Sequence, residues 1–280
     1  PSPVPYEQTF EGWTVRAALE FLDEHGGRPF FLQVGFKRPH SPYTPAEQFW
    51  ELYDEDELSL PENADHEMTS KPPHLRERRK QLENLGEEWV YEPKTYRAGR
   101  RRNLRAYLGC VSQVDHAVGE LLVELEERGL RENTVVVYTS DHGQFALEHG
   151  IIEKAPGIGS DAVTRVPLLW RWPDGLEAGL SRAQLVEHVD LAPTILDLLG
   201  LPPMDTADGR VITPLLRGND VRPHSVAVTE CPWSRAIYHG KWRYVHYQDA
   251  MFGGRDVGEL YDLARDPWEM NNLYHEPGHA

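Results

Sequence analysis

Residues 134–144 read TVVVYTSDHGQ, and the fold is decided by how this stretch is placed. TVVVY is a run of five β-favouring residues, and the TSDHGQ at its end is a polar, turn-forming segment. Before it, Leu104, Leu108, Val111, Val118, Leu122 and Leu125 keep a 3.6-residue stripe, which predicts an amphipathic helix over about 102–128 that Gly129 closes. The same order of helix, strand and loop occurs earlier. TVRAALEFLDEH at 14–25 sets Val15, Ala18, Leu19 and Leu22 on one helical face, GGRP stops it, and FFLQV reads as a buried strand. That strand is expected to run into the loop GFKRPHSPYTP, where proline and glycine break regular structure.

Downstream, VPLLW at 166–170 reads as another buried strand, and LVEHVDLAPTILDLLGL as a short strand and a helix with Pro193 in its first turn. Such alternation argues for an α/β fold with a mixed, mostly parallel sheet flanked by helices and with ligands at the carboxyl ends of its strands. After about 222 the pattern changes. SRAIYHGKWRYVHY alternates around a His-Gly turn, as an antiparallel hairpin does, and ELYDLARDPWEMNNL reads as a turn and a short helix. The expected division is therefore 1–221, a larger α/β portion, and 222–280, a small α+β subdomain containing an antiparallel sheet. Residues 55–100, charged and interrupted by proline, read as a surface excursion with short helices.

The chain has 280 residues, 40% of them apolar, enough to build a sizeable core. Its formal charge of -16 repels polyanions, which argues against nucleic acid and anionic membranes as partners. An anionic substrate must then find a local positive pocket. Two cysteines, Cys110 and Cys231, are too few for a disulfide framework or a thiolate zinc cluster. No apolar run is long enough to span a membrane, and the start at Pro1 suggests processing or truncation. Oligomeric state and compartment have no readable code.

Asp141 and His142 stand where the strand TVVVY gives way to its loop, a position suited to a divalent cation. His40, in KRPHSPY, comes after a predicted strand and should reach the same sheet edge. Lys154 lies in the loop beyond Asp141 with His149, Gly150, Pro156, Gly157 and Gly159. Each residue alone has an ordinary explanation as a cap or a solvated side chain. Together they are the types that hold a metal, a tetrahedral anion and a leaving group.

TSDHGQFALEHGIIEK followed by TRVPLLW resembles the second half of the sulfatase family. FFLQVGFKRPHSPY, YLGCVSQVDHAVGELLVELEERG, HVDLAPTILDLLGL, DGRVITPLLRG and ELYDLARDPWEMNNL continue the resemblance in the family's order over nearly the whole chain. The resemblance implies an alkaline-phosphatase-like fold and hydrolysis of a sulfate ester, on a small molecule or a saccharide, at a divalent cation. It gives Asp141 and His142 as metal ligands, His40 as the contact to the sulfate or leaving oxygen, and Lys154 as the holder of the sulfate. Calcium is the family's usual ion. Manganese, as in related phosphonate monoester hydrolases, stays open because His142 offers nitrogen where a hard cation prefers oxygen. Two alternatives stay open as well: a phosphonate or phosphate ester hydrolase on the same scaffold, and a noncatalytic anion-binding protein.

The family's formylglycine motif, C-x-P-S-R, is not found in this sequence, so the chain is expected to be a C-terminal portion, inactive alone, with the formylglycine lying in a missing N-terminal part. CPWSR at 231–235 comes near, but its proline sits one place early. The residues after Arg235, AIYHGKWRYVHY, read as a hairpin, whereas the family's nucleophile needs a helix N-terminus to hold its negative charge. Cys231 and Arg235 are therefore read as structural. FALEHG also departs from the family at a place where glycine is common, which touches the shape of that loop.

Overall fold

A computed structural model describes residues 1–84, 96–154 and 159–279 of the protein. In chain order the elements are α1 (Phe10–His25), α2 (Glu47–Trp50), α3 (Pro73–Asn84), α4 (Tyr96–Glu127), β1 (Val136–Thr139), β2 (Phe145–Ala146), β3 (Ile152–Glu153), α5 (Asp161–Thr164), β4 (Leu168–Arg171), α6 (Leu191–Leu198), α7 (Thr213–Leu216), β5 (Ala227–Cys231), β6 (Ser234–His239), β7 (Trp242–Tyr247) and β8 (Gly258–Asp262). They fall into two compact units, each discontinuous in sequence.

The first unit comprises Pro1–Glu67, Glu77–Thr134 and Gln144–Glu153. Thr9 caps α1, its hydroxyl accepting from Gly12 N at 3.3 Å, and Val15, Ala18 and Leu22 are buried, as the stripe requires. Tyr6, Val15, Ala46, Phe49 and Ala117 form one core cluster; Tyr43, Ala106 and Cys110 form another. The face α4 buries is not the stripe of large residues read from the sequence. Ala106, Cys110, Gln113, Val114 and Ala117 are buried; of the stripe Leu125 is buried, whereas Val111 is exposed and Leu104, Leu108, Val118 and Leu122 are half-buried. Small side chains allow close approach: a Cβ on Gly109 would stand 2.8 Å from Pro45 and 3.1 Å from the Phe49 carbonyl.

Gln113 ties the helices of this unit together. Its Oε1 accepts from Ala46 N at 2.8 Å, and its Nε2 donates to Glu11 Oε2 at 2.7 Å and to Thr9 Oγ1 at 3.2 Å. Glu11 also receives Arg38 Nε at 2.9 Å, so its buried charge is paired.

The second unit comprises Met68–Arg76, Val135–Gly143 and Lys154–Ala280. Here β1 pairs with β4, and β5-β6-β7-β8 form a four-stranded antiparallel sheet. The predicted hairpin is β6–β7, with His239 opposite Trp242 and Gly240 at φ +60, a value a side chain would strain. Ala236, Val245, Tyr247 and Phe252 make its core. Helix α6 carries Pro193 in its first turn as expected.

The mixed α/β class and the C-terminal antiparallel sheet hold. Besides the buried face of α4, four expectations are corrected. Strands β1 and β4 run antiparallel, not parallel, and no parallel ladder occurs among the described residues. FFLQV has strand composition but forms no strand there, and Phe31 is 71% exposed; composition favours extension, whereas a strand needs a ladder partner. The 55–100 segment is more than a surface excursion, since Asn63, Ala64, Met68, Lys71, Leu75 and Leu82 are buried; residues 85–95 of it lie outside the described residues. The tail holds strand β8, and residues 263–273 after it form turns with no helix; the strand arises because Glu259 and Tyr261 bury side chains that the sheet can cover. No helix among the described residues is long and apolar enough to cross a membrane.

Candidate active site

Strand β1 ends at Thr139, and Ser140–Gly143 form a tight turn. Ser140 Oγ donates to the His142 carbonyl at 2.8 Å, His142 N donates to Asp141 Oδ1 at 2.9 Å, and Gly143 N donates to the Val163 carbonyl at 2.8 Å. The last contact needs glycine for space. A Cβ on Gly143 would lie 2.3 Å from the Ala162 carbonyl oxygen.

His142 Nδ1 lies 2.9 Å from the Gly143 carbonyl, which can only accept, so Nδ1 carries the proton and Nε2 presents a lone pair. That lone pair faces Lys154 Nζ at 2.7 Å, and Asp141 Oδ2 lies 3.3 Å from His142 Nε2. The ammonium and the carboxylate thus both meet the ring at Nε2. A ring whose other nitrogen is tethered to a backbone carbonyl is also how metal-ligating histidines are oriented. Asp141 and His142 therefore fit two coordination positions of a divalent cation. Among the described residues no group of three His, Cys, Asp or Glu side chains gathers for a metal. The Asp141 carboxylate is 82% exposed and the His142 ring 36%, so the pair is open to solvent.

Lys154 belongs to the same unit as Asp141 and His142; His40 belongs to the other. His40 is exposed, its Nδ1 lies 2.7 Å from the Ser41 carbonyl, and its backbone N donates to Lys37 O at 3.1 Å in a turn. In its own unit this loop is anchored by Arg38 on Glu11 and by the Tyr43 hydroxyl, which accepts from Gln144 Nε2 at 3.1 Å. Burial and nearby Glu153 push the Tyr43 hydroxyl well above its ordinary range, so it stays protonated.

The segment before Lys154 is backbone-strained. Leu147, His149 and Glu153 all have positive φ, at 80°, 52° and 65°. His149 is buried, with Nε2 3.2 Å from Asn63 Nδ2 and Nδ1 3.3 Å from His66 Nδ1. It is thus a structural residue of the loop, whose residues 155–158 lie outside the described ones.

Cys231 is the last residue of β5 and pairs with Ser234, so CPWSR is a hairpin turn with no helix. Its Sγ lies 3.1 Å from Ser234 Oγ, and Arg235 pairs with Glu230 at 2.7 Å on the surface.

Sequence reasoning missed Arg243 and Glu269, both buried, which hold the segment that receives Gly143. Glu269 lies in the DPWE of the tail, but nothing in the sequence marks its charge as buried.

Residues 8–201 match the sulfatase family, and residues 148–280 match the family described as N-sulphoglucosamine sulphohydrolase, C-terminal. The choline-sulfatase of Rhizobium meliloti (strain 1021) is 29% identical over 263 residues, covering 91% of this chain and 48% of that protein. A solved structure in complex with its substrate D-glucosamine-2-N,6-O-disulfate superposes with a TM-score of 0.82 at 22% identity, covering 96% of this chain and 66% of its own. The phosphonate monoester hydrolase of Silicibacter pomeroyi gives 0.84 at 21% identity, covering 100% and 58%. These two likenesses speak for the fold. The chain spans about half the length of the curated relatives it matches.

Proposed function

We propose that this chain, which belongs to the sulfatase family, carries part of the site at which a sulfate ester is hydrolysed. The observation that carries the proposal is that the Asp141 carboxylate and the Lys154 ammonium both meet the His142 ring at Nε2, beyond the end of β1. Asp141 and His142 would hold a divalent cation, calcium by family habit or manganese by the nitrogen donor. A bound cation supplies a positive charge to neutralise the oxygens of a tetrahedral anion.

Lys154 adds a second positive charge, which a chain of net charge -16 needs locally to hold a sulfate. His40 we assign, by resemblance to the family, to the contact with the sulfate or leaving oxygen, where a histidine can deliver a proton to the departing alkoxide. We assign the nucleophile to a formylglycine outside these 280 residues, so this chain alone should show no turnover. The substrate we favour is a sulfated small molecule or saccharide, because the relative is named for choline sulfate and the solved neighbour holds a glucosamine disulfate. The change of pattern near 222 supports treating 222–280 as a subdomain.

The test is to assay the complete protein with a sulfate monoester and a phosphonate monoester in parallel, with calcium and with manganese. Faster sulfate turnover is expected. Preference for the phosphonate would move the assignment to the sister activity, and cation and sulfate binding without turnover of either would leave an anion-binding protein. Asp141→Asn should weaken cation binding by calorimetry; an unchanged affinity would remove this residue from the site.

A further inference from the structure

A buried charge network in the second unit reaches the turn that carries Asp141 and His142. Glu269, 3% exposed, accepts from Ser160 Oγ at 2.7 Å and from Asp161 N at 3.1 Å. Arg243, equally buried, donates one arm of its guanidinium to Glu269 and the other to Asp161 Oδ1, and Lys71 Nζ lies 3.7 Å from Glu269. The network therefore fixes both the side chain before α5 and the first backbone N–H of α5. Two residues on, the Val163 carbonyl accepts the Gly143 N–H, and Gly143 in turn supplies the carbonyl that sets the His142 tautomer.

The packing leaves this chain of contacts little slack. Gly143 approaches the backbone of Ala162 too closely for any side chain, and a Cβ on Gly159 would meet Ala236 at 2.5 Å. The segment 159–163 is thus wedged between the C-terminal sheet and the turn of residues 140–143.

We infer that Glu269 and Arg243 are positioning residues for the Asp141–His142 pair: through Ser160, Asp161 and Val163 they hold the Gly143 peptide, and with it the direction of the His142 lone pair. The inference rests on the proposed cation role of that pair for its consequence, but not for its geometry. Neither residue touches the proposed ligands, and both lie more than 100 positions beyond them in the chain.

The experiment measures amide hydrogen exchange at Gly143 and cation affinity by calorimetry, in the complete protein and its Glu269→Gln variant. Exchange at Gly143 is expected to quicken and the dissociation constant for calcium to rise about tenfold, the scale found when outer-shell partners of ligands are lost. Tyr261→Phe is the control, since it removes a bond to Glu259 in the same buried region but none to Ser160 or Asp161. It should lower the melting temperature and leave Gly143 exchange as it was. Unaltered Gly143 exchange in Glu269→Gln, or the same change in both variants, overturns the inference. Should Glu269→Gln fail to fold, Ser160→Ala removes a single contact and is read by the same exchange measurement. If the unsubstituted protein binds no cation, the sulfatase assignment of Asp141 and His142 falls, and Gly143 exchange still decides the positioning role.

Discussion

Lys154 brings a positive charge to His142 Nε2, the nitrogen that would hold a cation, and the sign of that arrangement makes a prediction. In the complete protein, Lys154→Ala should tighten cation binding several-fold, because the competing ammonium 2.7 Å from His142 Nε2 is gone, while sulfate-ester turnover falls. Calorimetry and a rate assay on the same variant separate the two effects; a loss of both would mean that Lys154 props the site rather than charging it. Cys231 leads to the opposite expectation. Its sulfur sits in a hairpin turn against Ser234, so Cys231→Ala should change stability by about 1 kcal/mol or less and leave turnover intact. A large loss of rate would restore it as a candidate nucleophile. For these residues the expectation came from resemblance alone: the types and order at 40, 141, 142 and 154 are like those of the family's site, and their roles are the proposal made above. What the sequence did not contain is the tautomer of His142, which depends on a carbonyl one residue away in a turn of defined shape.

Among the elements, α4 shows most plainly how periodicity can mislead. A stripe of leucine and valine predicts which side of a helix is apolar, but burial goes to the side that neighbouring chain can approach most closely. In α4 that side carries Ala106, Gly109, Cys110, Gln113 and Ala117. Burial raises the Cys110 thiol to about 11 despite Arg38 nearby, so this cysteine stays protonated and unreactive at neutral pH. Gln113→Leu should cost the protein about 2–4 kcal/mol, because the Ala46 N–H loses its acceptor and Glu11 loses a donor in a buried place. Urea denaturation checks it, and a neutral result would mean that water replaces the amide. The hairpin β6–β7 was legible for the converse reason: strict alternation and a His-Gly turn are local signals, and the register comes from them.

On the scale of the whole molecule, stability should carry a pH dependence set in part by His74. Its ring packs against Tyr247 and Phe252, and burial, with Lys71 close by, lowers it to about 4. Its unfolded value lies near 6.5, so between those limits the unfolded chain binds the extra proton. Stability contributed by the neutral ring is complete above about 6.5, is lost as pH falls towards 4, and changes no further below that. His74→Phe should flatten this part of the profile, as judged by melting temperatures between about pH 7 and about pH 4.5; an unchanged slope would place the dependence on other groups. The amino-acid sequence by itself determined the family, the α/β character, the C-terminal hairpin and the residue types that can hold a cation and a sulfate, because composition, short-range periodicity and motif spacing are properties of neighbours in the chain. Tertiary structure alone decided that β1 meets β4 antiparallel, which face α4 buries, and that Glu269 and Arg243 stand behind the Asp141–His142 turn. Those outcomes depend on which distant segments share a dry, close-packed interior, where a paired charge is held and an unpaired one is costly.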